Sequence, residues 1–217
     1  MNELSNTRVS WREFFKVGKS RIEFIVTSFL VILSLVSLAN FLNYVEAREG
    51  VVLNDPLLNL FNPVDLTFLS FGLIYISLFV AIFFLIKTPS RLVIALQAYI
   101  ILVLVRIIVM YLVPLNPPPG MISLSDPFVE YFGTGQLLTK DLFFSGHTAT
   151  IFLFYLVSDP AKRGLKIFFM ICTIFVAIFV LLQHVHYTID VISAPFFAFS
   201  AYKLSLKFNG TFKHTSK

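Results

Sequence analysis

The sequence predicts an all-α integral membrane protein, a six-transmembrane-helix bundle with both termini cytoplasmic, and three observations carry that expectation. Hydrophobic residues make up 57% of the 217 and charged residues only 13%, with a mean hydropathy of +0.84; a soluble domain carries about 25% charged residues. Six apolar runs, at residues 22–44, 67–87, 92–113, 143–158, 165–183 and 187–206, read as membrane spans by the criterion of ~20 apolar residues. Finally, 14 of the 17 lysines and arginines fall in the N-terminal segment, the connections after the second and fourth runs, and the C-terminal tail, which the positive-inside rule assigns to the cytoplasm.

The elements follow in order. Residues 1–21 form a basic cytoplasmic segment in which Ser10-Trp11-Arg12-Glu13 fits a capping box. Trp11, Phe14 and Phe15 then share a face ringed by Arg12, Lys16 and Lys19, as in a helix lying on the membrane surface; a loose solvated tail fits the same residues. In the first run Val45-Glu46-Ala47 could pass for a cleavage site, but the apolar stretch exceeds the 7–15 residues of a signal peptide, so it is read as a retained span. The first and third connections carry Glu46, Glu49, Asp55, Asp65, Asp126, Glu130 and Asp141 against only Arg48 and Lys140, and so face the other side. Pro117-Pro118-Pro119-Gly120 stiffens the third connection. Phe132-Gly133-Thr134-Gly135-Gln136 permits a tight turn, either a lid or an ordinary surface loop. Pro195 should kink the last span. Residues 22–206 thus form one membrane domain and 207–217 a cytoplasmic tail.

The formal net charge of +5 sits at helix ends, which points to topology and anionic lipids and away from nucleic acid. The single cysteine, Cys172, lies in an apolar run, so no intrachain disulfide forms and packing is its expected role. Oligomeric state is not legible.

Two stretches break the apolar pattern. In Gln183-His184-Val185-His186-Tyr187-Thr188-Ile189-Asp190, His186 and Asp190 are four residues apart and would share a helix face. The carboxylate could then take one ring N–H and leave the other nitrogen as nucleophile, base or ligand. Ionisable groups at membrane depth are costly, which favours a functional site; a polar helix end meeting interfacial water is the other reading. The second stretch, Asp141 to Thr150, puts Ser145-Gly146-His147-Thr148 at the mouth of a run. Ser145 is a candidate N-cap, Gly146 admits close backbone approach, and a helix N-terminus offers N–H groups to an anion. Arg106 lies in an apolar helix without a carboxylate; it either meets phosphate as a bidentate donor or snorkels outward. By the charge-based topology Arg106, His147, His186 and Asp190 all fall at one membrane level.

Ser145-Gly146-His147 with His186-x-x-x-Asp190 resembles the paired motifs of the type 2 phosphatidic acid phosphatase (PAP2) superfamily of membrane lipid phosphatases and phosphotransferases. Asp141-x-x-x-Ser-Gly-His-Thr148, His184-x-His-Tyr-Thr-x-Asp-Val191 and the segment from Arg106 to Pro117-Pro118-Pro119 are closer to its sphingomyelin synthase branch. The likeness covers roughly residues 106–202. The phosphatases' Lys-x6-Arg-Pro and their arginine six residues before the final histidine are missing here, the latter replaced by Val180. The resemblance implies a lipid phosphotransferase, with hydrolysis of lipid phosphates or phospholipids as the alternative. It implies His186 as nucleophile, Asp190 as its orienting partner and His147 as general acid. Arg106, Ser145, Gly146, Asp141, His184 and Tyr187 become substrate-binding candidates. No cofactor or metal is implied; the partners are membrane lipids, and the site faces the extracytoplasmic side. Two rivals stand beside it. His147, His184, His186 and Asp190 could form a three-histidine zinc set, and a small transporter or lipid-binding protein would use polar groups spread through the membrane depth.

Overall fold

The computed structural model describes residues 10–124 and 138–214, with side chains as far as residue 208. The Phe132–Gln136 turn and Ser125 to Glu130 of the outer loop lie outside the described residues. Helix α1 (Trp11–Lys16) starts with the expected capping box: Ser10 and Glu13 bond reciprocally. Helices α2 (Gly18–Ala47), α3 (Thr67–Leu85), α4 (Pro89–Leu112), α5 (Gly146–Val157), α6 (Arg163–Leu182) and α7 (Thr188–His214) follow, with a short 3₁₀ turn at Leu58–Leu60. Among the described residues there is no strand, only a bridge between Val51 and Leu115.

Five helices are long and apolar enough to cross a membrane: α2, α3, α4, α6 and the Thr188–Phe208 part of α7. The fourth run falls short. It contributes only the 12 residues of α5, roughly 18 Å of helix against a ~30 Å hydrocarbon core. The difference arises because Phe143 and Phe144 adopt left-handed conformations (φ 58° and 48°), holding the chain in a turn until Ser145 caps the helix. Apolar composition alone could not distinguish this turn from a helical one.

Short α5 is the central helix, packed on α6 and α7 and, less extensively, on α4 and α3, while α2 packs on α4 and α4 on α7. Close approach to α7 is permitted by a stripe of buried small residues, Ala194, Ala198, Ala201 and Ser205, continuing the face begun by Asp190; such small residues let membrane helices meet through van der Waals contact. Helix α7 runs through Pro195.

The connections after α2 and α4 are stitched into a cap over the histidine-bearing end of the bundle, at the ends of α2, α4, α6 and α7. Val51 N–H donates to Pro114 O and Asn116 N–H to Val51 O, both 3.0 Å. The Tyr187 hydroxyl donates to Asn116 O (2.9 Å) and accepts from Leu53 N–H (3.1 Å). Buried Gln183 ties the end of α6 to Thr67 and Ser70 of α3. Asp55, 133 residues from its partner, accepts from Thr188 N–H (2.6 Å) and hydroxyl (2.9 Å) and so caps α7 from another connection. Burial pushes its carboxyl up, but the bonds from Thr188, then Leu57 and Leu58, pull it further down, below the usual carboxylate range. That brace fixes the start of α7, with His186 two residues before it and Asp190 in its first turn.

Candidate active site

At the start of α7 the expected geometry forms. His186 Nδ1 lies 3.3 Å from Asp190 Oδ2, which also accepts from Tyr187 N–H at 3.3 Å. Asp190 is fully buried and His186 2% exposed. A carboxylate in this position can accept a hydrogen from Nδ1, the arrangement that would leave Nε2 with its lone pair. Asp190 Oδ1 has no protein partner. The backbone carbonyl of Asp190 accepts from Ser145 N–H at 3.0 Å, which locks the α5 mouth to the α7 mouth.

The α5 mouth is built around Arg106. Its Nε and Nη2 donate to Asp141 Oδ1 at 3.1 and 2.6 Å, Nη2 also to Asp141 O at 3.3 Å, and Nη1 to Phe144 O at 3.0 Å. Four of its five N–H groups are therefore used. Arg106 is 5% exposed and holds the Asp141–Phe144 turn, so the arginine expected to meet phosphate or snorkel outward already has a carboxylate partner within the chain. One Nη1 hydrogen remains for a ligand. Asp141 lies 35 residues away in sequence, so its pairing could not be seen from the α4 sequence.

This clamp also accounts for the left-handed Phe143 and Phe144, each costing of order 1–2 kcal/mol. The turn aims Phe144 O at the guanidinium while the Phe144 ring, fully buried, stacks on Phe197 of α7 at 4.4 Å. Gly146 is required for a related reason. A Cβ there would collide with Arg106 Nη1 and lie 2.7 Å from Cζ, so what approaches the glycine closely is the arginine. Ser145 is the N-cap: its Oγ accepts from Thr148 N–H (3.4 Å) and hydroxyl (3.0 Å), and the residue is fully buried.

His147, in the first turn of α5, meets the edge of Phe71 with ring centroids 6.4 Å apart. Burial raises the Asp141 carboxyl, and Arg106, then His186 and His147, more than reverse this, leaving it below its usual range. Arg106 lies six residues before the end of α4, roughly 9 Å below that end, so the cluster is recessed.

Arg106, Asp141, Gly146 and His147 form the polar end of a cavity of about 560 Å³ whose remaining walls, from α2 to α5, are apolar and run down to Leu85, Leu92 and Phe154. Helices α2 and α3 both line it without packing closely on each other.

His184 and Tyr187 lie elsewhere. His184, left-handed at φ 57°, directs Nδ1 to Pro119 O at 3.0 Å and, with Tyr187 and Asp55, lines a separate cavity of about 250 Å³. Tyr187 is fully buried and serves as a pin for the outer cap. Among the described residues no group of three or more His, Cys, Asp and Glu is arranged to hold a metal ion, so the three-histidine set is not assembled here.

No curated protein matches the chain significantly. Residues 140–206, which contain both the Ser-Gly-His stretch and the His186–Asp190 stretch, match the model of the family described as PAP2 superfamily C-terminal, and the likeness of this part of the chain to that superfamily of lipid phosphatases and phosphotransferases therefore rests on more than two short motifs.

Proposed function

We propose that the protein is a membrane lipid phosphotransferase of sphingomyelin synthase-like type, moving a phospho-headgroup from a phospholipid to a lipid hydroxyl through a histidine-linked intermediate. The observation that carries this reading is the apolar cavity with its ionic end at Arg106, Asp141 and His147, together with a histidine paired to a buried carboxylate whose backbone is tied to Ser145 at the mouth of α5. A lipid fits such a volume with its chain among the leucines and its phosphate at the clamp. In the first step His186 Nε2 attacks phosphorus; the P–N bond forms as the P–O bond to the donor's glycerol oxygen breaks, and His147 gives its proton to that oxygen. In the second, the acceptor hydroxyl loses its proton to His147 and attacks phosphorus, and the P–N bond breaks. Asp190 keeps Nδ1 protonated and balances the imidazolium charge. The remaining Nη1 hydrogen of Arg106 and the α5 N-terminus steady the phosphate oxygens. Ser145, Gly146 and Asp141 serve by shaping this cradle. Every role falls to a side chain or backbone group, so no cofactor enters.

Transfer is preferred to hydrolysis because Asp141, His184 and the Arg106-to-proline segment match the synthase branch. Purified protein supplied with a phospholipid donor and either ceramide or diacylglycerol, with chelator present, is expected to form the headgroup-bearing product of the acceptor. Release of only water-soluble phosphate or phospho-alcohol at every acceptor concentration would identify a hydrolase instead.

The site is proposed to face away from the cytoplasm, since the basic residues gather at the other end of the bundle. A cysteine replacing Asn54, exposed in the outer cap, should react with an impermeant thiol reagent from the extracytoplasmic side, and one replacing Gly164 should not. The opposite labelling would invert the topology.

A further inference from the structure

At the end of the bundle opposite the histidines, a cavity of about 140 Å³ lies between the α3–α4 turn and the α5–α6 connection. Lys87, Arg91 and Lys162 line it, against a single carboxylate, Asp159. Arg91 is partly satisfied, with Nη2 3.5 Å from Asp159 Oδ1 and Nη1 donating to Val157 O at 3.3 Å. The two lysines are not: among the described residues neither ammonium is ion-paired. They rest instead on aromatic faces, Lys87 Nζ 3.5 Å from the Phe83 centroid and Lys162 Nζ 4.2 Å from that of Phe84, which holds them at the cavity without neutralising them.

The backbone adds to this field. Thr88 and Lys162, both in the lining, are the N-caps of α4 and α6, and neither supplies a side-chain cap bond. The start of α4 contributes little, since Pro89 has no N–H and Arg91 N–H donates to Thr88 O at 3.0 Å, but the uncapped start of α6 reaches the same basic cavity, which favours an anion there. The other walls are apolar, with Phe84, Leu85, Phe154, Leu165 and Phe169. A soluble anion gains nothing from them, whereas a lipid at this level could lay its glycerol and first methylenes there.

We propose that this cavity binds the phosphate of an anionic phospholipid from the leaflet opposite the catalytic histidines. Its residues are distinct from the proposed reaction machinery, so the site stands or falls independently of the transfer reaction. Full-length protein in a neutral detergent would be titrated with phosphatidylglycerol, phosphatidylcholine or inorganic phosphate, reading the thermal unfolding midpoint and lipid retained by native mass spectrometry. Phosphatidylglycerol is expected to raise the midpoint and be retained where phosphatidylcholine does neither. In Lys87→Gln/Lys162→Gln its apparent affinity should fall about tenfold or more, while Lys87→Arg/Lys162→Arg should bind as the parent does. Should the double glutamine variant fail to fold, the single exposed-site change Lys87→Gln reads the same comparison at smaller amplitude. A shift from inorganic phosphate alone, lost in the glutamine variants, would assign the site to a free phosphate ion. Equal retention of both lipids, or unchanged phosphatidylglycerol binding in folded glutamine variants, overturns the proposal.

Discussion

His186→Ala is expected to lower turnover by at least ~10³-fold while leaving the helical fold intact, because it removes the atom proposed to bond to phosphorus. His186 is buried, but its side-chain bond is to Asp190, four residues on, so its loss breaks no bond between distant segments among the described residues. Asp190→Asn separates nucleophile from orientation. The amide oxygen can still face Nδ1, but the negative charge that balances an imidazolium is gone, and a loss of about 10²–10⁴-fold is expected. The amide N–H₂ would also fall where Oδ1 now has no protein partner. Circular dichroism and size-exclusion profiles matching the parent would certify the fold. Substantial turnover in folded His186→Ala would end the covalent mechanism. A ³¹P or mass-spectrometric signal of phosphohistidine in the parent during turnover, lost in that variant, gives a readout that a structural role for His186 would not produce.

What the sequence disclosed of this site was its local part. The His186–Asp190 pairing follows from four-residue helical spacing, the Ser145 cap from a polar residue before an apolar run, and the Ser10–Glu13 box from three-residue spacing; each rests on atoms a single turn apart. The long apolar helices were legible for the same reason. Contacts that cross the bundle were not. Arg106 looked unpaired because its carboxylate arrives from another segment, and Asp55 looked like one more acidic residue of an outer loop although it caps α7. The left-handed turn at Phe143 and Phe144 had no glycine or asparagine to announce it. Tertiary bonds to Arg106 and stacking on Phe197 hold it, and neither leaves a local signature. Apolar composition therefore extends the fourth run to span length where the structure has a 12-residue helix, and carries no sign of the recess below the neighbouring helix ends. His184 stands next but one to His186 in sequence, yet the left-handed turn at His184 sends it to a different cavity.

Gly146→Ala is expected to lower stability by displacing the Arg106 guanidinium, and its cause can be isolated. The new Cβ would overlap Arg106 Nη1 and sit 2.7 Å from Cζ. The guanidinium would have to withdraw, and with it the bonds to Asp141 and Phe144 that hold the strained turn. Breaking a mostly buried ion pair by losing one partner costs up to about 3–5 kcal/mol. Because the Asp141 side chain is 34% exposed, roughly 2–3 kcal/mol is the better expectation, read as a lower unfolding midpoint together with loss of turnover. Arg106→Ala should produce a comparable loss. The two changes should not add, since both act through one guanidinium. In the Arg106→Ala background the space above Gly146 is vacated, and alanine at this helical position should then be neutral or stabilising by up to ~1 kcal/mol, the intrinsic preference of a helix for alanine over glycine. The double variant would therefore be no less stable than Arg106→Ala alone. If Gly146→Ala destabilises equally with and without the arginine, the glycine serves something other than the clamp, and the account of how Arg106 shapes the mouth of α5 is wrong.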